Sequence, residues 1–130
     1  MIFEFRRFFK FAVVGGSGVV VNLGLLWILT EFAGLFYLYS ALISIEASII
    51  SNFMLNEHWT FRDRRQKHIS MFRRGVKFNI VSIAGMLINM AVLYVFTEFA
   101  GLYYMYSEML GIVAAFLWNY FINLYWTWNS

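Results

Sequence analysis

The chain has 130 residues, of which 62% are hydrophobic, 22% aromatic and 13% charged, with no proline or cysteine. A soluble domain carries about 25% charged and about 45–50% apolar residues, so the composition excludes a water-soluble globule and describes a membrane protein. The formal net charge of +3 is read as topogenic charge that meets anionic inner-leaflet lipid, each base being worth about 1 kcal/mol there, and no nucleic-acid partner is expected.

Four apolar stretches follow in chain order, each near the roughly 20 residues that cross the hydrocarbon core as a helix. The first, residues 11–30, comes after Arg6, Arg7 and Lys10. It outruns the roughly 7–15-residue core of a signal peptide and recurs later in the chain, so no cleavable leader is expected. The turn 31–37 leads to the second stretch, residues 38–55. A basic segment with Arg62, Arg64, Arg65, Lys67, Arg73, Arg74 and Lys77 precedes the third, residues 78–97, and the turn 98–104 leads to the fourth, residues 105–124. Neither turn holds a Lys or Arg, so all the bases sit on one side of the layout. By the positive-inside rule both termini and the central segment are predicted to be cytoplasmic. The expectation is an all-α, multi-pass protein of the cytoplasmic (inner) membrane. Ile69, Met71 and Phe72 among the bases suggest a short helix lying in the interface.

The second half repeats the first at a constant offset of 67 residues: Phe5, Arg6, Arg7, Lys10 and Phe11 return as Phe72, Arg73, Arg74, Lys77 and Phe78, and the run from Thr30 to Leu35 returns unchanged from Thr97 to Leu102. Duplication means that one structural unit is understood and then doubled. The fold predicted is a single transmembrane domain over residues 1–130, made of two tandem helical hairpins. Repeat 1 covers about 5–63 and repeat 2 about 72–130, joined by a basic cytoplasmic linker, 62–74. An even number of crossings per repeat gives parallel topology, with an axis expected along the membrane normal.

Polar residues within the apolar stretches are the candidates for function. Gly15, Gly18 and Asn22 recur as Ser82, Gly85 and Asn89, small residues on a shared helix face that let another backbone approach. The two asparagines either hydrogen-bond between helices or line a polar path. In the second span Ser44, Ser48, Ser51, Asn52, Asn56 and Trp59 follow one face; the fourth span reads Gly111, Ala115, Trp118, Asn119, Asn123 and Trp126. Two asparagines and an interfacial tryptophan survive duplication. Together with Arg6, Lys10, Arg73 and Lys77, the four amides Asn52, Asn56, Asn119 and Asn123 form a candidate polar mouth suited to a phosphate, since Arg grips such a group bidentately and Lys acts as a point charge. The alternative is that the outer bases only snorkel to the interface. Glu46 breaks the repeat, its partner being Val113; a carboxylate at that depth is protonated, paired or facing water, and is a candidate for the translocation path. Only two histidines, His58 and His68, are present, with no metal-ligand spacing, nucleophile set or nucleotide motif, so neither enzymatic activity, a metal nor a cofactor is expected.

The start Lys10, Phe11, Val14, Gly15, and the run Asn52-Phe53-Met54-Leu55-Asn56 followed by Trp59-Thr60-Phe61, resemble the signatures of the GtrA-like family of small four-helix membrane proteins, over nearly the whole chain. That resemblance implies a role in cell-surface polysaccharide synthesis or glycosylation, moving (flipping) a polyprenyl-phosphate-linked sugar across the cytoplasmic membrane. The implied partners are that sugar lipid, membrane lipid and a membrane glycosyltransferase; a homo-oligomer is expected from the small size of four helices. The family commonly has a basic residue after the second asparagine, where this chain has Glu57 and, in the repeat, Leu124; if that base binds phosphate in relatives, either Arg62, Lys10 or Lys77 substitutes or the substrate is handled differently. On this reading the phosphodiester enters at the polar mouth and passes Asn22, Asn89 and Glu46. Two alternatives stand beside it: a non-transporting subunit that recruits a glycosyltransferase through its basic linker, and a proton-coupled small multidrug exporter built around Glu46.

Overall fold

The structure, a computed structural model, describes residues 4–65 and 69–128; Lys67 and His68 of the basic segment lie outside the described residues. It forms two compact units, Met1–Arg65 and Gln66–Ser130, each an antiparallel hairpin: α1 (Phe5–Glu31) against α2 (Tyr37–Leu55), and α3 (Met71–Glu98) against α4 (Tyr104–Ile122). No strand occurs among the described residues. All four helices are long and apolar enough to cross a membrane, and the protein is an all-α membrane protein.

Both first helices begin before their apolar stretches, at Phe5 and Met71, because Arg and Lys are good helix formers and the basic segments continue the same hydrogen-bond ladder. Met71 and Phe72 therefore make the first turn of α3 and no separate interfacial helix. Ser70 caps that turn, its Oγ accepting from the Arg73 N–H at 3.1 Å, which satisfies one of the donors a helix start leaves unpaired. At the other end, Gly34 and Gly101 both take φ +73°, a left-handed conformation that a side chain disfavours. There the Leu35 N–H donates to the Leu29 carbonyl, and the Leu102 N–H to the Phe96 carbonyl, both at 3.0 Å.

The second helix of each hairpin runs on into a π-helical turn, Asn56–Thr60 and Asn123–Thr127, closed by Phe61 N–H to Asn56 carbonyl at 2.8 Å and Trp128 N–H to Asn123 carbonyl at 2.9 Å. π turns are rare and frequent at functional sites. The wider turn takes consecutive residues into the interior: Asn56 and Glu57 are each 1% exposed, as is Leu124 beside the fully buried Asn123.

Packing inside each hairpin follows one stripe. Arg7, Phe11, Val14 and Gly18 are the buried residues of α1, and Arg74, Phe78, Val81 and Gly85 those of α3, spaced at three and four residues as one helix face requires. Phe61 and Trp128, both completely buried, close the basic ends with edge contacts to Phe11 (6.1 Å) and Phe78 (5.7 Å). Beyond the stripes the helices expose large apolar side chains such as Val20, Trp27, Leu42, Leu87 and Met109, a surface suited to lipid.

Candidate functional site

Helix phase turns Arg7 inward beside Phe11, and the hairpin brings the 3₁₀ turn Arg62–Arg64 up to it. All five guanidinium donors are used. Nη1 donates to the Thr60 carbonyl and to Asp63 Oδ1, both at 2.8 Å; Nη2 donates to Asp63 Oδ2 at 2.8 Å and Glu4 Oε2 at 2.9 Å; Nε donates to Glu4 Oε2 at 3.2 Å. The cation also sits 5.5 Å from the centre of the Phe61 ring. Hydrogen bonding from Arg7 holds the Asp63 carboxyl below its ordinary value of 3.8, against the opposing effect of burial. With every donor taken, Arg7 staples the ends of the hairpin and has none left for a ligand.

Around this staple lies a cavity of about 570 Å³, bordered by Arg6, Lys10, Trp59, Thr60, Arg62 and Asp63, with Glu4, Arg7, His58 and Arg65 completing its wall. Arg6 and Arg62 form no ion pair with the described residues. Lys10 Nζ stands 5.3 Å over the ring of Trp59, a cation–π contact that positions both groups. Arg65 is 4.0 Å from the buried Glu57 carboxylate. Removing Arg7 and its two carboxylate partners from the count leaves a wall dominated by positive charge, which attracts an anion. Thr60 is 3% exposed, and its Oγ1 is buried without a hydrogen-bond partner; Asn56 Oδ1 is likewise unpartnered.

The basic end of the second repeat shares only part of this. Lys77 stands over Trp126 at 5.2 Å, matching Lys10 and Trp59. Arg74 is buried, with Nη1 donating to the Ile69 carbonyl at 2.7 Å. Thr127 Oγ1 donates to Asn123 Oδ1 at 2.7 Å, the bond that Thr60 and Asn56 do not make. Met71 and Tyr125 stand where repeat 1 has Glu4 and His58.

Of the expected mouth residues in repeat 1, Arg6 and Lys10 border the cavity with the interfacial Trp59. Asn56 is buried in the π turn, and Asn52 lies farther along α2, against Gly18. In repeat 2, Lys77 meets Trp126, Asn123 accepts from Thr127, Asn119 lies against Gly85, and Arg73 is exposed at the start of α3. Of the expected path residues, Asn89 lies against Gly111, Asn22 is half-buried and Glu46 is exposed on α2. A Cβ at Gly18, Gly85 or Gly111 would run into the facing asparagine, so at these positions the absence of a side chain lets the asparagine of the neighbouring helix pack against the backbone. Gly15 makes no such contact. Ser48 Oγ donates to the Gly18 carbonyl at 2.7 Å and Trp118 Nε1 to the Val81 carbonyl at 3.1 Å, further ties between the helices of each hairpin.

Arg7, Thr60 and Asp63 have no assigned role in the reading of the sequence. The signal for Arg7 was its phase with Phe11, Val14 and Gly18; Asp63 carried none, since its partner is 56 residues away.

Residues 10–128 match the model of the GtrA/DPMS transmembrane domain. The chain belongs to this family. Among its relatives is a dolichol-phosphate mannosyltransferase of Pyrococcus furiosus, 37% identical over 127 residues, which are 98% of this chain and 35% of the relative. The chain thus spans about a third of the length of that protein. An uncharacterized membrane protein of Bacillus subtilis, YngA, is 24% identical over 121 residues, 93% of this chain and 78% of the relative. The Lys–Trp pairs and both π turns lie within the part that matches the GtrA/DPMS model.

Proposed function

We propose that this GtrA/DPMS domain translocates a polyprenyl-phosphate-linked sugar across the cytoplasmic membrane, with both termini and the basic linker in the cytoplasm and no enzymatic step of its own. An unpaired ion in hydrocarbon faces a cost of tens of kcal/mol by Born solvation in a low dielectric, so a protein that moves such a head group supplies substitutes for water. The supporting observation is the cavity with Arg6, Lys10 and Arg62 at the end of a membrane-spanning hairpin. In the proposed mechanism the phosphodiester meets Lys10, Lys77, Arg6 and Arg73 first, the amides of Asn52, Asn56, Asn119 and Asn123 next, and then Asn22, Asn89 and Glu46 along the path. Trp59 and Trp126 anchor the interface, while the polyprenyl tail stays in lipid. A glycosyltransferase that makes the sugar lipid on one face, and acceptors that consume it on the other, set the direction.

The test is reconstitution into liposomes with a short-chain polyprenyl-phosphoryl sugar and an enzymatic probe of sugar in the outer leaflet. Faster equilibration than in protein-free liposomes is the expected result; an unchanged rate rejects transport.

A second reading is favoured by the Pyrococcus relative, a dolichol-phosphate mannosyltransferase much longer than this chain: the domain is a non-transporting subunit that recruits such an enzyme through its linker. Neutralising Arg64 and Lys67 of the linker then abolishes sugar transfer by the partner while leaving translocation intact.

A further inference from the structure

We infer that the first repeat alone recognises the sugar of the lipid-linked substrate, whereas the phosphodiester is met by features that both repeats share; this rests on the translocation reading above. The lysine–tryptophan pair is present in both repeats, Lys10 with Trp59 and Lys77 with Trp126, at nearly equal distances. A site for phosphate needs no more than such cations. The cavity of repeat 1 adds groups that a bare phosphate has no use for. Asp63 borders it as an ionised carboxylate, and a carboxylate has about four lone-pair sites, of which Arg7 engages two. Those that stay open accept from hydroxyl groups, which a bare phosphodiester lacks.

Thr60 supplies an independent observation. Thr60 borders the cavity and its buried hydroxyl has no partner, while the equivalent hydroxyl of Thr127 donates to Asn123. Buried polar groups are nearly always hydrogen-bonded, so the orphaned hydroxyl marks an arrangement that a ligand completes. Trp59 and Trp126 are exposed alike beside their lysines, 44% and 43%; in repeat 1 the indole borders the cavity with Asp63 and Thr60, where it offers surface to the apolar C–H face of a sugar ring. Hydroxyl acceptors, an unsatisfied hydroxyl, an indole platform and adjacent cations describe a sugar joined to a phosphodiester. At about 570 Å³ the cavity falls in the range of about 300–1,000 Å³ typical of small-molecule sites.

The experiment measures equilibrium binding to the full chain in nanodiscs. Its probes are citronellyl-phosphoryl mannose, citronellyl-phosphoryl glucose and citronellyl phosphate, which lacks the sugar. Trp59→Leu and Thr60→Val are expected to weaken the sugar-bearing probe that binds best by about tenfold, the equivalent of losing one good contact, and to weaken citronellyl phosphate by less than about threefold. Trp126→Leu, which releases Lys77 from its cation–π contact, is expected to weaken the sugar-bearing probe and citronellyl phosphate alike, by less than about threefold. Three results overturn the inference: equal losses of the sugar-bearing probe in Trp59→Leu and Trp126→Leu, equal losses of the probes with and without sugar in Trp59→Leu and Thr60→Val, or binding of neither sugar-bearing probe. Phosphatidylglycerol in the disc separates the two sources of phosphate, and competition as strong as that of the sugar lipid marks a phospholipid headgroup site and also overturns it. Thermal unfolding of each variant in the same discs identifies any loss caused by misfolding, and the isosteric Thr60→Val keeps the test open if Trp59→Leu is unstable. Liposome transport measured in parallel separates the failures: selective binding without transport removes the translocation reading and leaves the sugar site, whereas transport with equal effects in both repeats removes the sugar site alone.

Discussion

At the basic end of each hairpin a buried arginine lies one turn before a buried phenylalanine, an aromatic plug closes the interior, a lysine stands over a tryptophan, and the second helix widens into a π turn. Repeat 2 finishes this frame with Met71, Tyr125 and a Thr127–Asn123 hydrogen bond. Repeat 1 finishes it with Glu4, His58 and Asp63 around a cavity, and leaves Thr60 and Asn56 apart. Features kept in both copies are those a hairpin needs to close at a membrane surface; the rest are free to specialise. Both ends keep a buried polar atom without a partner, Thr60 Oγ1 and Asn56 Oδ1 in repeat 1 and Asn123 Nδ2 in repeat 2, which is costly; of these residues Thr60 borders the cavity, where a ligand restores the balance.

Removing the arginine is the strongest way to break this contrast. Arg7→Met leaves the Thr60 carbonyl without its donor and Asp63 without its counter-ion, and is expected to lower unfolding stability by about 2–3 kcal/mol, reduced from the usual cost of breaking a buried pair because Asp63 keeps contact with water. Reversible unfolding in mixed micelles measures it. The pH dependence separates the two repeats more sharply. Because the folded Asp63 carboxyl is held below its ordinary 3.8, its contribution is fully present above that value and is lost as pH falls through the lower folded value. Arg7→Met and Asp63→Asn should therefore flatten the stability profile below about pH 4, whereas Arg74→Met should leave that acid limb in place, since repeat 2 has no carboxylate at the positions of Glu4 and Asp63. An unchanged acid limb in Asp63→Asn contradicts the staple.

The helix contact deeper in each hairpin gives the next largest difference. Gly111 faces the main-chain oxygen of Asn89 as well as its side chain, so Gly111→Ala forces the helices apart and is expected to cost about 1–3 kcal/mol, as overpacking does. Its counterpart is Ser44, completely buried and with its own Cβ accommodated; Ser44→Ala should cost less than about 1 kcal/mol, since among the described residues its hydroxyl bonds only to the Ala41 carbonyl of the same helix, at 3.2 Å. Equal losses would show that the two hairpins pack alike at this level.

Much of the frame is legible in the sequence. Apolar length and the one-sided distribution of Lys and Arg outlined four helices, and the 67-residue offset correctly paired Lys10 with Lys77 and Trp59 with Trp126 as residues that belong together. Hydropathy placed the first spans too late, because charge interrupts an apolar window without interrupting a helix. The π turns left no trace, since their bonding adds one residue to a turn without changing the apolar pattern. Arg7 was grouped with the surface bases although its phase with Phe11 points inward. Asp63 and Thr60 depended on closure of the hairpin, which unites residues more than fifty apart in sequence.

Threonine and lysine provide the finest test, because the first should divide the repeats and the second should not. Thr127→Val strips a donor from the buried Asn123 Oδ1 and is expected to cost about 1–2 kcal/mol, while Thr60→Val removes a hydroxyl with nothing to lose and should fall within about 0.5 kcal/mol of the parent or stabilise it. Lys10→Met and Lys77→Met each forfeit one cation–π contact and should both cost about 0.5–1 kcal/mol, measured by the same unfolding assay. The lysine losses should match because the two contacts have nearly the same geometry, 5.3 and 5.2 Å. Matching lysines with unequal threonines would mean that the repeats share their charge and differ in their hydroxyl chemistry, the pattern expected when one part of a head group is common to both halves and the other is read by one. Unequal lysines would place the asymmetry in the charge itself and shift recognition from the sugar to the phosphate.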